Sequence, residues 1–323
     1  MTDTSPALDA EATRNTLAAV RDEVAKVVVG QDGIVSGVMT ALLVRGHVLL
    51  EGVPGVAKTL LVKALAGALD LQYSRVQFTP DLMPSDVLGQ VIYDGGSFTF
   101  REGPVFTNLL LADEINRTPP KTQAALLEAM EERQVSTEGS SRRLPEPFIV
   151  IATQNPVEYE GTYPLPEAQL DRFLFKLQVP YPSVEQERAI VERHNQGFDP
   201  HDVAGAGVTA VAGAVDLARA REVVRSIVVE PPVVGYIVDL VRATRTSTAV
   251  SLGVSPRGST ALLHSAKAWA FLAGRSFVTP DEVKAVAKPA LRHRIALRPE
   301  VELDGGTADG VLDAILASVP APR

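Results

Sequence analysis

The run His47-Val-Leu-Leu-Glu-Gly-Val-Pro-Gly-Val-Ala-Lys-Thr59 decides the fold. Its first five residues, His47 to Glu51, are the short aliphatic stretch that a buried strand requires. The chain then turns through Gly52-Val-Pro-Gly-Val-Ala-Lys-Thr59, and a helical pattern, TLLVKALAGAL, follows from Thr59 to Leu69. Strand, glycine-bearing loop and helix in that order build an anion site. Loop N–H groups and the free amides of the helix N-terminus point at one place, where the helix dipole is positive. Gly52 and Gly55 let the backbone curl around a phosphate without a Cβ in the way. Lys58 is placed to reach the β- and γ-phosphates of a nucleotide, and Thr59 to put its hydroxyl on Mg²⁺. Val53, Pro54, Val56, Ala57 and Leu60 complete this binding segment. Ala57 stands where the strict pattern has glycine, so its φ is expected to be negative. An ordinary Gly/Pro turn before a helix would not need the Lys-Thr pair.

Four more runs read as buried strands: Tyr73–Phe78, Asn108–Ala112, Phe148–Thr153 and Phe173–Val179. Apolar strands alternating with helical patterns indicate an α/β fold, a five-stranded parallel sheet covered on both faces. The segment VIYDGGSFTFREGPVF (Val91–Phe106) alternates around Asp94-Gly95-Gly96, a hairpin signal placed where a simple α/β unit would carry a helix. It reads as an insertion. Helix starts are marked by capping boxes at Ser183–Gln186 and Thr279–Glu282, and by Ser255-Pro256 with Gly274 closing that helix. Residues 1–12 read as a disordered tail, 13–197 as the α/β core, 198–215 as a Gly/Ala-rich connecting loop and 216–323 as a smaller helical domain. Residues 1–215 carry 17 basic and 28 acidic side chains, whereas 216–323 carry 14 and 11, so the charge balance changes at the same place.

Composition bounds the function. The 323 residues are 46% hydrophobic and only 5% aromatic, so the core must be mostly aliphatic. The net charge of −8 argues against bulk nucleic acid as the main partner, because phosphate-backbone binding needs a basic surface. With no cysteine, disulfides, thiolate-bound metals and a thiol nucleophile are excluded. No apolar run approaches the ~20 residues of a membrane span, and the N-terminus lacks a signal-peptide pattern, so no membrane insertion and a cytoplasmic location are expected. The five histidines lack metal-site spacing, and His47, at the head of the first strand, reads as structural.

The remaining candidates are read from strand ends. Leu109-Leu-Leu-Ala-Asp-Glu114 is an apolar strand ending in two acids. Asp113 would hold Mg²⁺, and Glu114 would act as general base on the attacking water. Asn155, in Ala152-Thr-Gln-Asn-Pro156, would orient that water; Gln154, one step away, is second choice because it faces the other way. Arg172, in Glu167-Ala-Gln-Leu-Asp-Arg-Phe173, has the planar permanent charge of an arginine finger, acting on a neighbouring subunit's nucleotide. A surface arginine paired with Asp171 or Glu167 is the competing reading. Arg257 lies in the first turn of a helix, where a cation is disfavoured by the dipole, and such a conflict with a local rule points to function as a γ-phosphate sensor, with an ordinary surface arginine as the competing reading. Glu128, Glu131 and Glu132 are assigned to a solvated face, with Ala124, Leu127 and Met130 toward the core. Arg142-Arg143 fall on a solvated hairpin, and Trp269 belongs to the core.

Together these residues resemble the AAA+ ATPases, and among them the MoxR family. The likeness covers nearly all of the chain after residue 12. It rests on VVGQ (Val28–Gln31), EGVPGVAKT, FTPDLMPSDVLGQ, GPVFTNLLLADEINRTPPKTQAALLEAMEE, ATQNP, GTYPLPEAQLDRF and SPRGS. The runs ADEINR and LPEAQLDRF at this spacing are specific, and alanine before the lysine is ordinary in that family. The resemblance implies a RecA-like AAA+ core, a hairpin inserted in helix 2, an α-helical lid, ATP and Mg²⁺ as ligands, and homo-oligomeric rings, usually hexamers. It also implies a repositioned lid, so that Arg257 serves a neighbour's nucleotide. Its members are regarded as chaperone-like ATPases that mature or metallate protein clients, often with von Willebrand factor A domain partners. A DNA-acting motor and the ATPase subunit of a metal chelatase are the rival readings, followed by a nucleotide-gated scaffold, which the Asp113-Glu114 pair argues against.

Overall fold

The structure is a computed structural model that describes residues 6–53, 55–137, 139–155 and 162–322. Pro54 of the phosphate loop, Pro156, Gly161 and the first five residues of the expected tail lie outside the described residues.

The chain opens with α1 (Pro6–Ala25) and α2 (Asp32–Leu43), then β1 (Val48–Glu51), α3 (Lys58–Ala68) and β2 (Tyr73–Gln77). Next come α4 (Pro84–Leu88), the strands β3 (Gly89–Asp94) and β4 (Ser97–Glu102), and β5 (Leu109–Asp113). They are followed by α5 (Pro120–Glu132), β6 (Gln134–Thr137), β7 (Ser140–Arg143), β8 (Ile149–Gln154), α6 (Glu167–Leu170), β9 (Phe175–Gln178) and α7 (Val184–Asn195). The C-terminal part holds α8 (Ala214–Ser226), α9 (Pro231–Thr246), β10 (Val250–Leu252), α10 (Pro256–Leu272) and α11 (Pro280–Leu291), then β11 (Ala296–Leu297), α12 (Pro299–Leu303) and α13 (Ala308–Ser318).

The five strands read from sequence form one sheet in the order β2-β5-β8-β1-β9, with every neighbouring pair parallel. Strand alternation sorts its side chains between two cores. Val48, Leu50, Leu109, Leu111, Ile149 and Ile151 face α1–α3, and that core continues into the C-terminal helices through Leu217, Tyr236, Leu262 and Ala266. Leu49, Leu110, Ala112, Val150 and Ala152 face α5 and the inserted hairpin.

That hairpin is β3–β4, antiparallel, turning at Gly95 and Gly96 with φ of 56° and 96°. A second hairpin, β6–β7, carries Arg142, whose guanidinium lies 4.0 Å from the centre of the Phe100 ring on the first. The two insertions are thereby joined by a cation–π contact, and Arg142 is not the bare solvated residue read from sequence.

Residues 6–12 are not a tail. Helix α1 starts at Pro6, a residue suited to the first helical position, and continues through alanine-rich sequence. Thr13, Leu17, Val20 and Val24 then bury one stripe of it. The stretch 198–215 is a connection up to Gly213, where α8 begins, but it is tied down: Val208 and Ala212 are buried, and the Val211 N–H donates to Ala68 O at 3.0 Å.

The helical lid is anchored by buried cations. Arg294 donates from Nη2 to Phe173 O at 2.7 Å and from Nη1 to Leu174 O at 3.0 Å, and it pairs with Asp171 at 2.6 Å. His293 Nε2 meets Phe173 O at 2.9 Å. Arg221 donates twice to Leu42 O, at 2.9 and 3.1 Å.

His47 is structural. Its Nδ1 accepts the Val150 N–H at 2.9 Å, which leaves the ring proton on Nε2, facing Met130 O at 3.2 Å. Burial pushes its pKa down to about 4, and burial holds His293 well below its ordinary value too. Both rings fold neutral. The unfolded chain takes up these protons near pH 6.5, whereas folded His47 does so only near pH 4, so its stabilisation is full above pH 6.5 and fades as the pH falls toward 4, and His293 acts in the same direction. The unfolding free energy, read from urea curves, is therefore expected to fall between pH 6.5 and 4.5, by at most about 1.4 kcal/mol per pH unit from His47, with His293 adding in the same direction. His47→Gln should flatten that slope by one proton's worth; an unchanged slope in the variant would contradict the buried neutral ring.

Candidate active site

The site starts from the end of the central-sheet strand β1. The Gly52 N–H donates to Gln154 O at 3.2 Å, and the Val179 N–H donates to Glu51 O at 2.7 Å, so the chain is clamped between β8 and the end of β9 as it leaves the sheet. A Cβ on Gly52 would lie 2.6 Å from Val179 O, which excludes any other residue without a backbone shift. Gly55 has φ of +85° and open space where its Cβ would be, a cradle that only glycine leaves unfilled.

Ala57 departs from expectation. Its φ is +57° and ψ 24°, in the left-handed region, at the residue immediately before α3. The loop must reverse there to aim the first amides of α3 into the cavity, and the alanine tolerates the conformation with only a methyl group to place.

Lys58 opens α3, and its Nζ donates to Gly52 O across the loop. Burial pushes the ammonium pKa down, and the carboxylates of Asp113, Glu114 and Glu51 pull against that shift. The loop from Gly55 to Leu60 lines a cavity of about 1030 Å³ that also takes in Asp113, Glu114, Thr153 and Asn155. Gly52 and Val53 shape the loop from behind rather than line this space. Gln154 does not line it either, while the buried Asn155 does.

The acids at the end of β5 are held in a network that sequence reading missed. Thr153 Oγ1 donates to Asp113 Oδ1 at 2.6 Å and accepts the Glu114 N–H at 2.9 Å. Arg75 on β2 pairs with Asp113 Oδ2 at 2.7 Å. Gln77, two residues along, donates to Glu114 Oε2 at 2.7 Å, and Arg117 reaches the same oxygen at 3.0 Å. Glu114 itself takes φ of 58°, which turns its side chain out of the strand's alternation. The alternation Tyr73-x-Arg75-x-Gln77 in an edge strand was the available signal, since it lines up polar side chains beside the acids.

Across the cavity, Gln31 Nε2 donates to Val56 O at 2.6 Å, and its buried Oε1 meets no hydrogen-bond partner among the described residues. Ile34, Tyr181, Ile190 and Phe198 supply apolar walls there. The oxygen donors at the loop, Thr59 and Asp113, suit Mg²⁺, a hard cation that keeps several waters and needs few protein ligands. Among the described residues no cluster of three or more His, Cys, Asp or Glu is arranged to hold a metal. The open Gly55 cradle, the helix N-terminus with Lys58 and the orphaned Gln31 acceptor fit phosphates at one end and a hydrogen-bond-donating base at the other.

Arg172 and Arg257 are not in this cavity. They line a second hollow of about 220 Å³, where one comes from the core and the other from the lid. Arg257 Nη2 lies 2.8 Å from Glu131 Oε2, and Arg172 Nε 3.9 Å from the same atom. The spacing-based partner Asp171 is taken by Arg294 instead. Glu131 is exposed, as expected, but it is an ion-pair hub rather than an acid on a bare solvated face. Ala124, expected to face the core, is exposed, whereas Leu127 and Met130 are buried.

A glycine loop at the tip of β1, an acid pair on β5, the order β2-β5-β8-β1-β9, an inserted hairpin and a helical lid define a P-loop ATPase of AAA+ architecture. Comparison with known proteins gives the family. The model described as "ATPase family associated with various cellular activities (AAA)" matches residues 47–175, and the "AAA lid domain" matches 242–315. The chain is 44% identical over 312 residues to Chaperone MoxR1 of Mycobacterium tuberculosis, covering 93% of this chain and 81% of that one. It is 46% identical over 303 residues to the uncharacterized protein YeaC of Bacillus subtilis, covering 93% of each. A crystal structure of a putative ATPase from Cytophaga hutchinsonii superposes with a TM-score of 0.90 at 41% identity, covering 98% of this chain and 97% of that one. The chain belongs to the MoxR family of AAA+ ATPases. Among its described residues no helix is long and apolar enough to cross a membrane.

The left-handed Ala57 has a measurable consequence. Ala57→Gly removes the Cβ conflict, worth about 1–2 kcal/mol, and loosens the unfolded chain by about 0.4–1 kcal/mol. A net gain of about 0.5–1 kcal/mol in urea-unfolding stability is expected, and a loss of stability would contradict the loop geometry.

Proposed function

We propose that the chain binds Mg·ATP in the larger cavity and hydrolyses it with groups drawn from two copies, coupling turnover to the remodelling of a protein client. The observation that carries this reading is the division of the candidate residues. Lys58, Thr59, Asp113, Glu114 and Asn155 converge on one cavity, while Arg172 and Arg257 converge on another. A single copy therefore holds the nucleotide-facing half of a site in one place and its cationic half elsewhere, the arrangement that a homo-oligomeric ring, hexameric in this reading, would complete.

Within a copy the roles follow from the groups present. Loop amides and Lys58 bind the β- and γ-phosphates, and Thr59 and Asp113 hold the metal. When bound, Mg²⁺ neutralises charge on the phosphate oxygens. Glu114 takes the proton of the attacking water, with Gln77 and Arg117 fixing its orientation through Oε2. Asn155 orients that water from the neighbouring strand end. The Gln31 Oε1 accepts from the amino group of adenine, and the walls from Ile34 to Phe198 cover the ring. Arg172 and Arg257 then stabilise the charge on a neighbour's transferring phosphoryl group. Client maturation or metal insertion, with a von Willebrand factor A domain partner, is the purpose that fits a relative named as a chaperone.

Two substitutions separate binding from chemistry. Lys58→Ala should weaken ATP binding by about 1.5–3 kcal/mol, the worth of charge-assisted contacts to phosphate. Glu114→Gln should bind ATP normally and lose about 10²–10⁴ in kcat, because an amide cannot take the proton. Calorimetry and a phosphate-release assay read the two effects. Unchanged ATP affinity in the first variant, or near-native turnover in the second, would contradict the assignment.

A further inference from the structure

The ion-pair hub at Glu131 is built against two local rules. Glu131 is in the last turn of α5, where the negative end of the helix dipole disfavours a carboxylate. Arg257 is in the first turn of α10, where the positive end disfavours a guanidinium. Each placement is unfavourable alone, and each is offset by the other across 2.8 Å. Arg172 approaches the same Oε2 at 3.9 Å. Among the described residues this carboxylate is the one with which both arginines pair, because the adjacent Asp171 is engaged by Arg294.

Two guanidiniums around one carboxylate oxygen leave an uncompensated positive charge, and Arg133 on the same hollow adds to it, while Arg45 there is paired with Glu146. The group stays reachable from solvent: side-chain exposures are 32% for Arg172, 49% for Arg257 and 36% for Glu131. Exposed pairs of this kind are weak, whereas a phosphate offers several charged oxygens to the planar guanidinium forks. A dianionic group entering between the arginines would also repel Glu131 from its place.

We propose that Glu131 is the resting counter-ion of a two-arginine clamp, and that the terminal phosphate of a nucleotide held by a second copy of this chain displaces it when the copies dock. This rests on the reading that Arg172 and Arg257 serve a neighbour's site. Glu131 is a positioning residue: it keeps core and lid arginines together in the free protomer, and docking must first break its contacts. The carboxylate therefore opposes assembly to the extent that it holds the arginines, and it does so most visibly when the incoming nucleotide carries a γ-phosphate.

The test is assembly of the full chain, followed by mass photometry across a protein titration with magnesium and β,γ-imido-ATP, and in parallel with magnesium and ADP. Glu131→Gln keeps the shape and removes the charge. Its half-assembly concentration is expected to fall about two- to fivefold below wild type with the imido analogue, and by less with ADP. Glu131→Ala should shift the same way. In an Arg172→Ala/Arg257→Ala background the effect of Glu131→Gln should vanish. An unchanged or raised midpoint, an equal shift with ADP, or a shift that survives loss of both arginines would each overturn the proposal. Phosphate release by assembled Arg172→Ala separates the two levels. Wild-type turnover there would remove the shared-site reading and this one with it. An inactive Arg172→Ala beside an unshifted Glu131→Gln would remove only the role of Glu131.

Discussion

The close approach of Gly52 to the carbonyl of Val179 is the constraint on which the rest depends. With β1 bonded to β8 and β9 along its length, the chain has one way out of the sheet, over its C-terminal edge. Gly52 makes that exit, and 2.6 Å between a notional Cβ and Val179 O leaves no room for a side chain. The exit direction fixes where α3 begins, hence where its free amides and Lys58 point. The parallel neighbours deliver the other chemistry to the same edge: β8 brings Thr153 and Asn155, and β5 brings Asp113 and Glu114. In parallel sheets all strands end on one side, so one backbone contact sets the geometry of the whole cavity.

The sheet was legible because buried parallel strands are near-continuous aliphatic runs, and each of the five sits within a residue or two of its sequence-read bounds. The inserted hairpin was legible from Asp94-Gly95-Gly96, since positive φ at two successive residues is what a tight reversal demands. The gathering of Lys58, Asp113, Glu114 and Asn155 around one cavity was legible because each sits at a strand end or helix start. The misses have a common physical form. Ala57 adopts a positive φ because the loop around it is held at both ends, which no local propensity encodes. The pairing of Glu131 with Arg257 joins α5 to the lid, and that of Arg294 with Asp171 joins the lid to the segment before β9. Contacts between distant elements carry no spacing signal. Residues 6–12 were read as a tail from their small, polar composition, but they are the first turns of α1, whose buried stripe, among the described side chains, begins at Thr13.

The lid is fastened to the segment of the core that carries Arg172. Arg294 and His293 hold the backbone from Asp171 to Leu174, the segment that presents Arg172, and Arg294 also pairs with the Asp171 carboxylate. Ser255, two residues before Arg257, also reaches Asp171, at 3.4 Å. A rotation of the lid would thus carry Arg257 and pull on the base of Arg172 together. The larger cavity is walled partly by Phe198 and Pro200, in the connection that leads to the lid.

Complementation tests most directly whether one catalytic site is shared between two copies. Lys58→Ala lacks a working phosphate loop but keeps Arg172, and Arg172→Ala has the reverse defect. Phosphate release should be low for each variant alone and recover in mixtures that co-assemble, because some interfaces then pair an intact loop with an intact arginine. No recovery in mixtures shown to co-assemble would contradict the shared site, and so would full activity of Arg172→Ala by itself.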